Sequence, residues 1–190
     1  MRLPGYDYSQ PGWYFVTICT KNRREIFGVV RKGEMRVNQN GKIVMDAWQD
    51  LPNHYYCILD AFVIMPNHIH GVVQIPDGFD IPYYPVAAGL RPAATGREIA
   101  AATVGFKVAG ENVNNVLPAS LTEIVRALKS FSARRINELR GIPGQPVWQR
   151  SFHDHVLRGN NDIEMVREYI RLNPQKWDED RNNVRKKILA

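Results

Sequence analysis

Hydrophobic and polar positions along the chain alternate in period two in some segments and in period 3.6 in others. The run Trp13 to Thr20 is aromatic and β-branched, opened by Gly12 and closed by the basic turn Lys21-Asn22-Arg23-Arg24, which predicts a strand. A weaker strand signal covers 28–37. Between Asn40 and Leu51, the residues Ile43, Val44, Ala47, Trp48 and Leu51 share one side at helical period, and Pro52-Asn53 ends the segment. Two strands then follow closely, Tyr56 to Ile64 and His68 to Ile75. The connection Met65-Pro66-Asn67 has room only for a tight turn, so these two strands are expected to pair antiparallel.

The pattern breaks from Asp77 to Pro118, where Ala, Gly and Pro are frequent and two prolines flank Tyr83-Tyr84. This reads as a flexible insertion, either a flap over the substrate or a segment without catalytic part, with Val104–Val108 a short strand candidate inside it. Order resumes at Ser120-Leu121-Thr122-Glu123, a capping box that opens an amphipathic helix. Leu121, Ile124, Val125, Leu128, Phe131, Ile136 and Leu139 form its apolar face, Arg126, Lys129, Arg134 and Arg140 lie away from it, and Gly141 stops it. Val147 to Leu157 predicts another strand. A last helix runs to about Asn173, with Asn161 as its expected cap, Asp162 and Glu164 in its positive first turn and Pro174 beyond its end. The order of elements predicts a single α+β domain over 1–190. Its core is a ferredoxin-like antiparallel sheet with helices on one side.

Composition adds a few bounds. Of 190 residues, 44% are hydrophobic, enough for a packed core, and no apolar run is long enough to cross a membrane. The opening Met1-Arg2-Leu3-Pro4-Gly5-Tyr6 does not resemble a secretory signal. Cys19 and Cys57 sit among apolar neighbours and read as reduced core thiols, so a cytoplasmic protein is expected. The net charge of +6 favours polyanionic partners, nucleic acid first. Arg23-Arg24, Arg31-Lys32 and Arg134-Arg135, with aromatics elsewhere in the chain, suit a cationic groove for single strands, although each group alone reads as a solvated face.

Candidate chemistry lies in three places. His68-Ile69-His70 falls in a predicted strand, so both imidazoles share a face, a pattern suited to a divalent metal. His153 and His155 form a second pair of this kind, and spacing does not choose between them; His155 could instead orient a phosphate from outside the ligand shell. On the last helix Tyr169 and Asn173 are one turn apart and share a side. Ile163, Val166 and Ile170 define the buried face, and Tyr169 lies roughly 90° from its centre, at a boundary that opens on a cleft. An amphipathic tyrosine with a packed ring and a wet hydroxyl fits the same pattern.

Taken together, Met65-Pro66-Asn67-His68-Ile69-His70-Gly71, Val147 to Arg158 and Arg167-Glu168-Tyr169-Ile170-Arg171-Leu172-Asn173-Pro174 resemble three blocks of the single-tyrosine transposases. The similarity is greatest to the REP-associated tyrosine transposases, a bacterial branch linked to repetitive extragenic palindromes. Trp13-Tyr14-Phe15-Val16-Thr17 fits as well, and the resemblance covers most of the chain except 77–118. It implies an HUH endonuclease fold in which His68 and His70 hold Mg²⁺ or Mn²⁺ and Tyr169 is the nucleophile. It implies Asn173 as third ligand, although a carboxamide binds metal more weakly than a carboxylate. It favours His68 and His70 over the His153 and His155 pair. Arg23, Arg24, Arg134, Arg135, His155 and Arg158 are the expected contacts to single-stranded or hairpin DNA, and the enzyme is expected to be a monomer or a homodimer. Two other readings compete: a domesticated hairpin-binding protein without transposition, and an RNA-binding module on a similar sheet, for which no glycine–aromatic signature is present.

Overall fold

Along the first strand, β1 (Gly12–Cys19), the side chains divide strictly by period two. Tyr14, Val16 and Ile18 enter the main core, whereas Trp13 and Phe15 join a smaller cluster on the opposite face. The computed structural model describes residues 6–77 and 119–183, so the segment expected to be an insertion lies almost wholly outside the described residues. After β1 come the hairpin strands β2 (Gly28–Arg31) and β3 (Glu34–Val37), then α1 (Gln39–Gln49). Strands β4 (Ile58–Met65) and β5 (His68–Ile75), helix α2 (Leu121–Leu139), strand β6 (His153–Leu157) and helix α3 (Asn160–Leu172) follow.

The main sheet has the order β4-β5-β1-β6 and every neighbouring pair is antiparallel. With the β2–β3 hairpin set aside, this is the split βαβ arrangement expected of a ferredoxin-like sheet. Helices α1 and α2 supply Val44, Trp48, Leu121, Ile124 and Leu128 to the core on one face. The expectation that the helices share one side holds only for these two. Helix α3 packs on the other face, where Ile163 and Ile170 meet Ala61, Val72 and Leu157. The reason is that the second face also carries apolar side chains, Trp13 and Phe15 of β1 and Val72 of β5, which must be covered.

Two further expectations change in detail. The strand expected over Val147–Leu157 forms only from His153. Upstream, Trp148 bridges Thr20 and donates its indole N–H to Ser132 Oγ, and the run between them leaves the ladder. Helix α3 is capped not by Asn161 but by Gly159 at φ 100, and Asp162 accepts the backbone N–H of Arg158.

Two local features position α3. An irregularity in β4 lets Leu59 and Phe62 face Val73 and Gly71, leaving Asp60 and Ala61 on the α3 side. Asp60 there takes both carboxylate oxygens to the guanidinium of Arg167 on α3. On the other face, Gly71 makes room for Trp48, whose ring stacks on Phe62 at 4.5 Å. A Cβ at Gly71 would lie 2.4 Å from the Trp48 ring. Gly71→Ala is therefore expected to lower stability by about 1–3 kcal/mol through overpacking. Urea unfolding of the two proteins, with an unchanged midpoint as the contrary result, checks this.

Candidate active site

The strand register brings together residues that lie far apart in the chain. On β5, His68 and His70 point to the α3 face, and β1 places Cys19 and Thr17 opposite them. Both imidazoles are buried. Their Nε2 atoms face each other at 3.0 Å. Each remaining ring nitrogen has its own partner: Thr17 Oγ1 lies 2.8 Å from His70 Nδ1, and Asn67 Oδ1 lies 2.8 Å from His68 Nδ1.

The Asn67 contact sets a tautomer. The Asn67 amide N–H₂ donates to two backbone carbonyls, those of Arg23 and Asn182, so its oxygen is the atom turned to His68. An oxygen accepts only, so His68 carries its proton on Nδ1 and presents a lone pair at Nε2. Two facing ring nitrogens at this separation need something between them, either one shared proton or a cation. Cis ligands on an octahedral ion with bonds of about 2.1 Å are themselves about 3.0 Å apart, so the pair has the spacing of metal ligands. Burial keeps both rings neutral, the form that binds metal. It holds His68 well below the usual histidine range, with the neighbouring His70 and the Arg23 and Arg181 cations adding to the effect. His70 is pushed down to about 3 by burial, with Arg181 contributing.

The tyrosine reaches this pair from α3. Tyr169 is 44% exposed, and its hydroxyl lies 3.3 Å from His70 Nε2. Phe15 stacks on His70 at 5.3 Å and meets the Tyr169 ring edge-on at 6.0 Å, so one β1 side chain orients both. Burial raises the phenol above its ordinary value and the Asp180 carboxylate adds to this, while the Asn173 amide beside it pulls it down. At neutral pH it is a protonated phenol. Asn173 is buried next to the tyrosine, and its Oδ1 has no hydrogen-bond partner.

The strand and helix patterns gave no hint of Asp180. It follows the turn Trp177–Glu179, and together with His68 and His70 it offers ligand atoms that all lie within 4.8 Å of one another. No periodic signal marks an isolated aspartate in an irregular segment. The expected DNA contacts scatter. Arg23 sits at the edge of the site, bonded to the Arg181 carbonyl and Asn182 Oδ1, with Arg24 exposed next to it. His153 and His155 are exposed on the same sheet face as the buried pair, since β1 places Thr17 and Phe15 opposite them, and Arg158 is exposed where β6 leads into α3. Arg134 and Arg135 lie on α2, across the sheet from the histidines, and are not brought to the site.

No protein-family model matches the chain. An uncharacterized protein of Haemophilus influenzae is 30% identical over 185 residues, covering 95% of this chain and 89% of that protein. A second Haemophilus influenzae protein, assigned as a REP-associated tyrosine transposase, is 23% identical over 171 residues, covering 90% and 74%. Among solved structures, a REP-associated tyrosine transposase bound to a REP hairpin superimposes with a TM-score of 0.55 at 16% identity, covering 93% of this chain and 74% of that one. In sequence and in fold the chain is similar to the REP-associated tyrosine transposases. Its sheet and helices are those of the HUH transposase fold. Among the described residues, no helix is long and apolar enough to cross a membrane.

The depressed histidines have a consequence for stability. Their folded pKa values lie below the unfolded value, so the unfolded chain binds more protons as the pH falls. The stability they allow is complete above roughly pH 6.5 and is lost progressively toward about 3, the value to which His70 is pushed. The metal-free protein is expected to lose thermal stability over that window, and His70→Gln should lose less. Melting temperatures recorded against pH for the two proteins check this, and parallel curves would contradict it.

Proposed function

We propose that the chain is a metal-dependent single-stranded DNA endonuclease and strand transferase that acts on hairpin or REP-type DNA. Tyr169 is its nucleophile, His68 and His70 hold the divalent ion, Mg²⁺ or Mn²⁺, and Asn173 is a candidate further ligand beside the tyrosine. The reading rests on one observation above others: a partly exposed phenol lies 3.3 Å from a buried imidazole that faces a second one at 3.0 Å. When bound, the ion would polarise the scissile phosphate and offset charge that develops on it.

The chain's own residues do the rest. Thr17 and Asn67 hold the imidazoles by their outer nitrogens, which fixes where the inner ones point. Phe15 and the Asp60–Arg167 pair set the position of the Tyr169 ring, two residues from Arg167 on α3. Tyr169 Oη attacks phosphorus, the phosphorus–O3′ bond breaks, and the phenolic proton must leave to a base within reach. The products are a 5′-phosphotyrosine and a free 3′-hydroxyl. The new bond retains the phosphodiester's energy, so a second 3′-hydroxyl can reverse the step and join strands without ATP.

Arg23, Arg24, His153, His155 and Arg158 are the proposed contacts to the strand entering this face, and Arg134 and Arg135, across the sheet, are not among them. All three central side chains come from one chain, which supports a site complete within one subunit, whether the enzyme acts as a monomer or a homodimer. The chain is read as one catalytic domain with 77–118 inserted. An RNA reader on this sheet would need exposed aromatics on its central strands, and Trp13 and Phe15 instead pack against the α3 cluster.

Tyr169→Phe is expected to abolish the covalent protein–DNA adduct formed with labelled hairpin DNA and Mn²⁺, seen on a denaturing gel, while binding stays within about twofold. His68→Ala and His70→Ala should lower metal-stimulated cleavage by more than about 100-fold, because the ion they would hold is worth several kcal/mol of charge stabilisation. Adduct formation by the phenylalanine variant, or loss of cleavage only in the His153 and His155 variants, would overturn the assignment.

A further inference from the structure

We propose that Asp180 is a protein ligand of the ion held by His68 and His70, and that the combined nitrogen and carboxylate set selects Mn²⁺ over Mg²⁺. This rests on the proposed metal role of the histidine pair and adds a ligand from outside the three sequence blocks.

The two oxygens of Asp180 are used unequally. Oδ1 accepts the backbone N–H of Asn182 at 2.6 Å. Oδ2 is buried, has no hydrogen-bond partner, and lies 3.5 Å from His68 Nε2. Because Asn67 keeps the His68 proton on Nδ1, Oδ2 faces a lone pair rather than a donor. His70 completes a cluster of candidate ligand atoms, all within 4.8 Å of one another. Thr17 Oγ1 can accept a proton carried on His70 Nδ1; in that tautomer no donor stands among the three atoms, and a cation placed among them turns their repulsion into attraction.

The segment that carries Asp180 is tied to the histidine strand. Asn67 Nδ2 donates to the Asn182 carbonyl at 2.8 Å, and Arg23 donates to Asn182 Oδ1 at 2.7 Å and to the Arg181 carbonyl at 3.1 Å. Trp177 is buried with its ring 6.1 Å from that of His68, and Asn183 Nδ2 donates to the Trp177 carbonyl. The same asparagine that sets the His68 tautomer therefore also holds the carboxylate in place. Two imidazoles and one carboxylate are a mixed donor set. The carboxylate suits Mg²⁺ and Mn²⁺ alike, and Mg²⁺ gives up water reluctantly, so the two imidazole nitrogens are the part of the set that disfavours Mg²⁺. One carboxylate on a divalent ion also leaves a net positive charge to meet a phosphate.

Mn²⁺ is titrated into the full chain without DNA, and the free-ion electron paramagnetic resonance signal is followed. The wild type is expected to remove that signal, Asp180→Asn to weaken binding at least about tenfold, and His70→Ala to lose it. A hundredfold excess of Mg²⁺ should leave Mn²⁺ bound, and its displacement would overturn the selectivity. Wild-type affinity in Asp180→Asn together with loss in His70→Ala would overturn the carboxylate ligand and leave the histidine site standing. Wild-type affinity in His70→Ala would instead overturn the histidine site itself. The unmutated protein supplies a second measurement: amide hydrogen exchange over 178–182 should slow when Mn²⁺ is added, and an unchanged rate would count against the ligand even where a variant fails to fold.

Discussion

Two imidazole nitrogens facing each other at 3.0 Å in a buried strand are the constraint around which this molecule is arranged. Neutral rings at that distance are tolerable only because burial suppresses their protonation and because their outer nitrogens are held. The holders come from different parts of the chain, Thr17 from the neighbouring strand and Asn67 from the turn just before His68. Neither touches the space between the rings, yet together they determine which lone pairs point into it. A shift of one residue in the β1–β5 register would turn Thr17 away from His70 and carry the arrangement to the other face of the sheet.

The tyrosine depends on a separate set of contacts. Helix α3 lies over a sheet face that would otherwise expose Val72 and Leu157, and two devices fix how it lies there. The irregularity in β4 turns Asp60 toward the helix, and Arg167 answers it with Nε and one terminal nitrogen while the other terminal nitrogen donates to Glu164. Phe15 then fills the angle between His70 and Tyr169. The tyrosine is thereby half out of the core with its hydroxyl turned inward, a compromise between packing the ring and leaving the oxygen accessible.

Much of this was legible in the residue order. Period two along β1 and β5, period 3.6 along α1, α2 and α3, and the capping box at Ser120–Glu123 each reflect local rules, and each element formed within a few residues of where its pattern placed it. The His-x-His pair was readable for the same reason, since alternation alone puts both rings on one face. The boundary position of Tyr169 followed from helical angles, and its exposure agrees with them. What failed to show was non-periodic. The break between Trp148 and His153, the glycine cap of α3 and the approach of Asp180 all depend on backbone that follows no repeat. Helix α3 was expected beside the other two because the period of a helix states which side is buried, not which layer it is buried against.

By itself the residue order determined the elements, the shared face of His68 and His70, the boundary position of Tyr169, and the family resemblance that joins them. Those properties are encoded within one strand, one helix or a short block, where neighbours in sequence are neighbours in space. Only the tertiary structure set the two histidine pairs apart, burying one and leaving the other exposed on the same sheet face. It alone moved Arg134 and Arg135 to the far side of the sheet and brought Asp180 to within 3.5 Å of His68, across 112 positions of chain (180 less 68). Such proximities arise from strand register and layer packing, which depend on the whole chain at once and leave no trace in any single window of it.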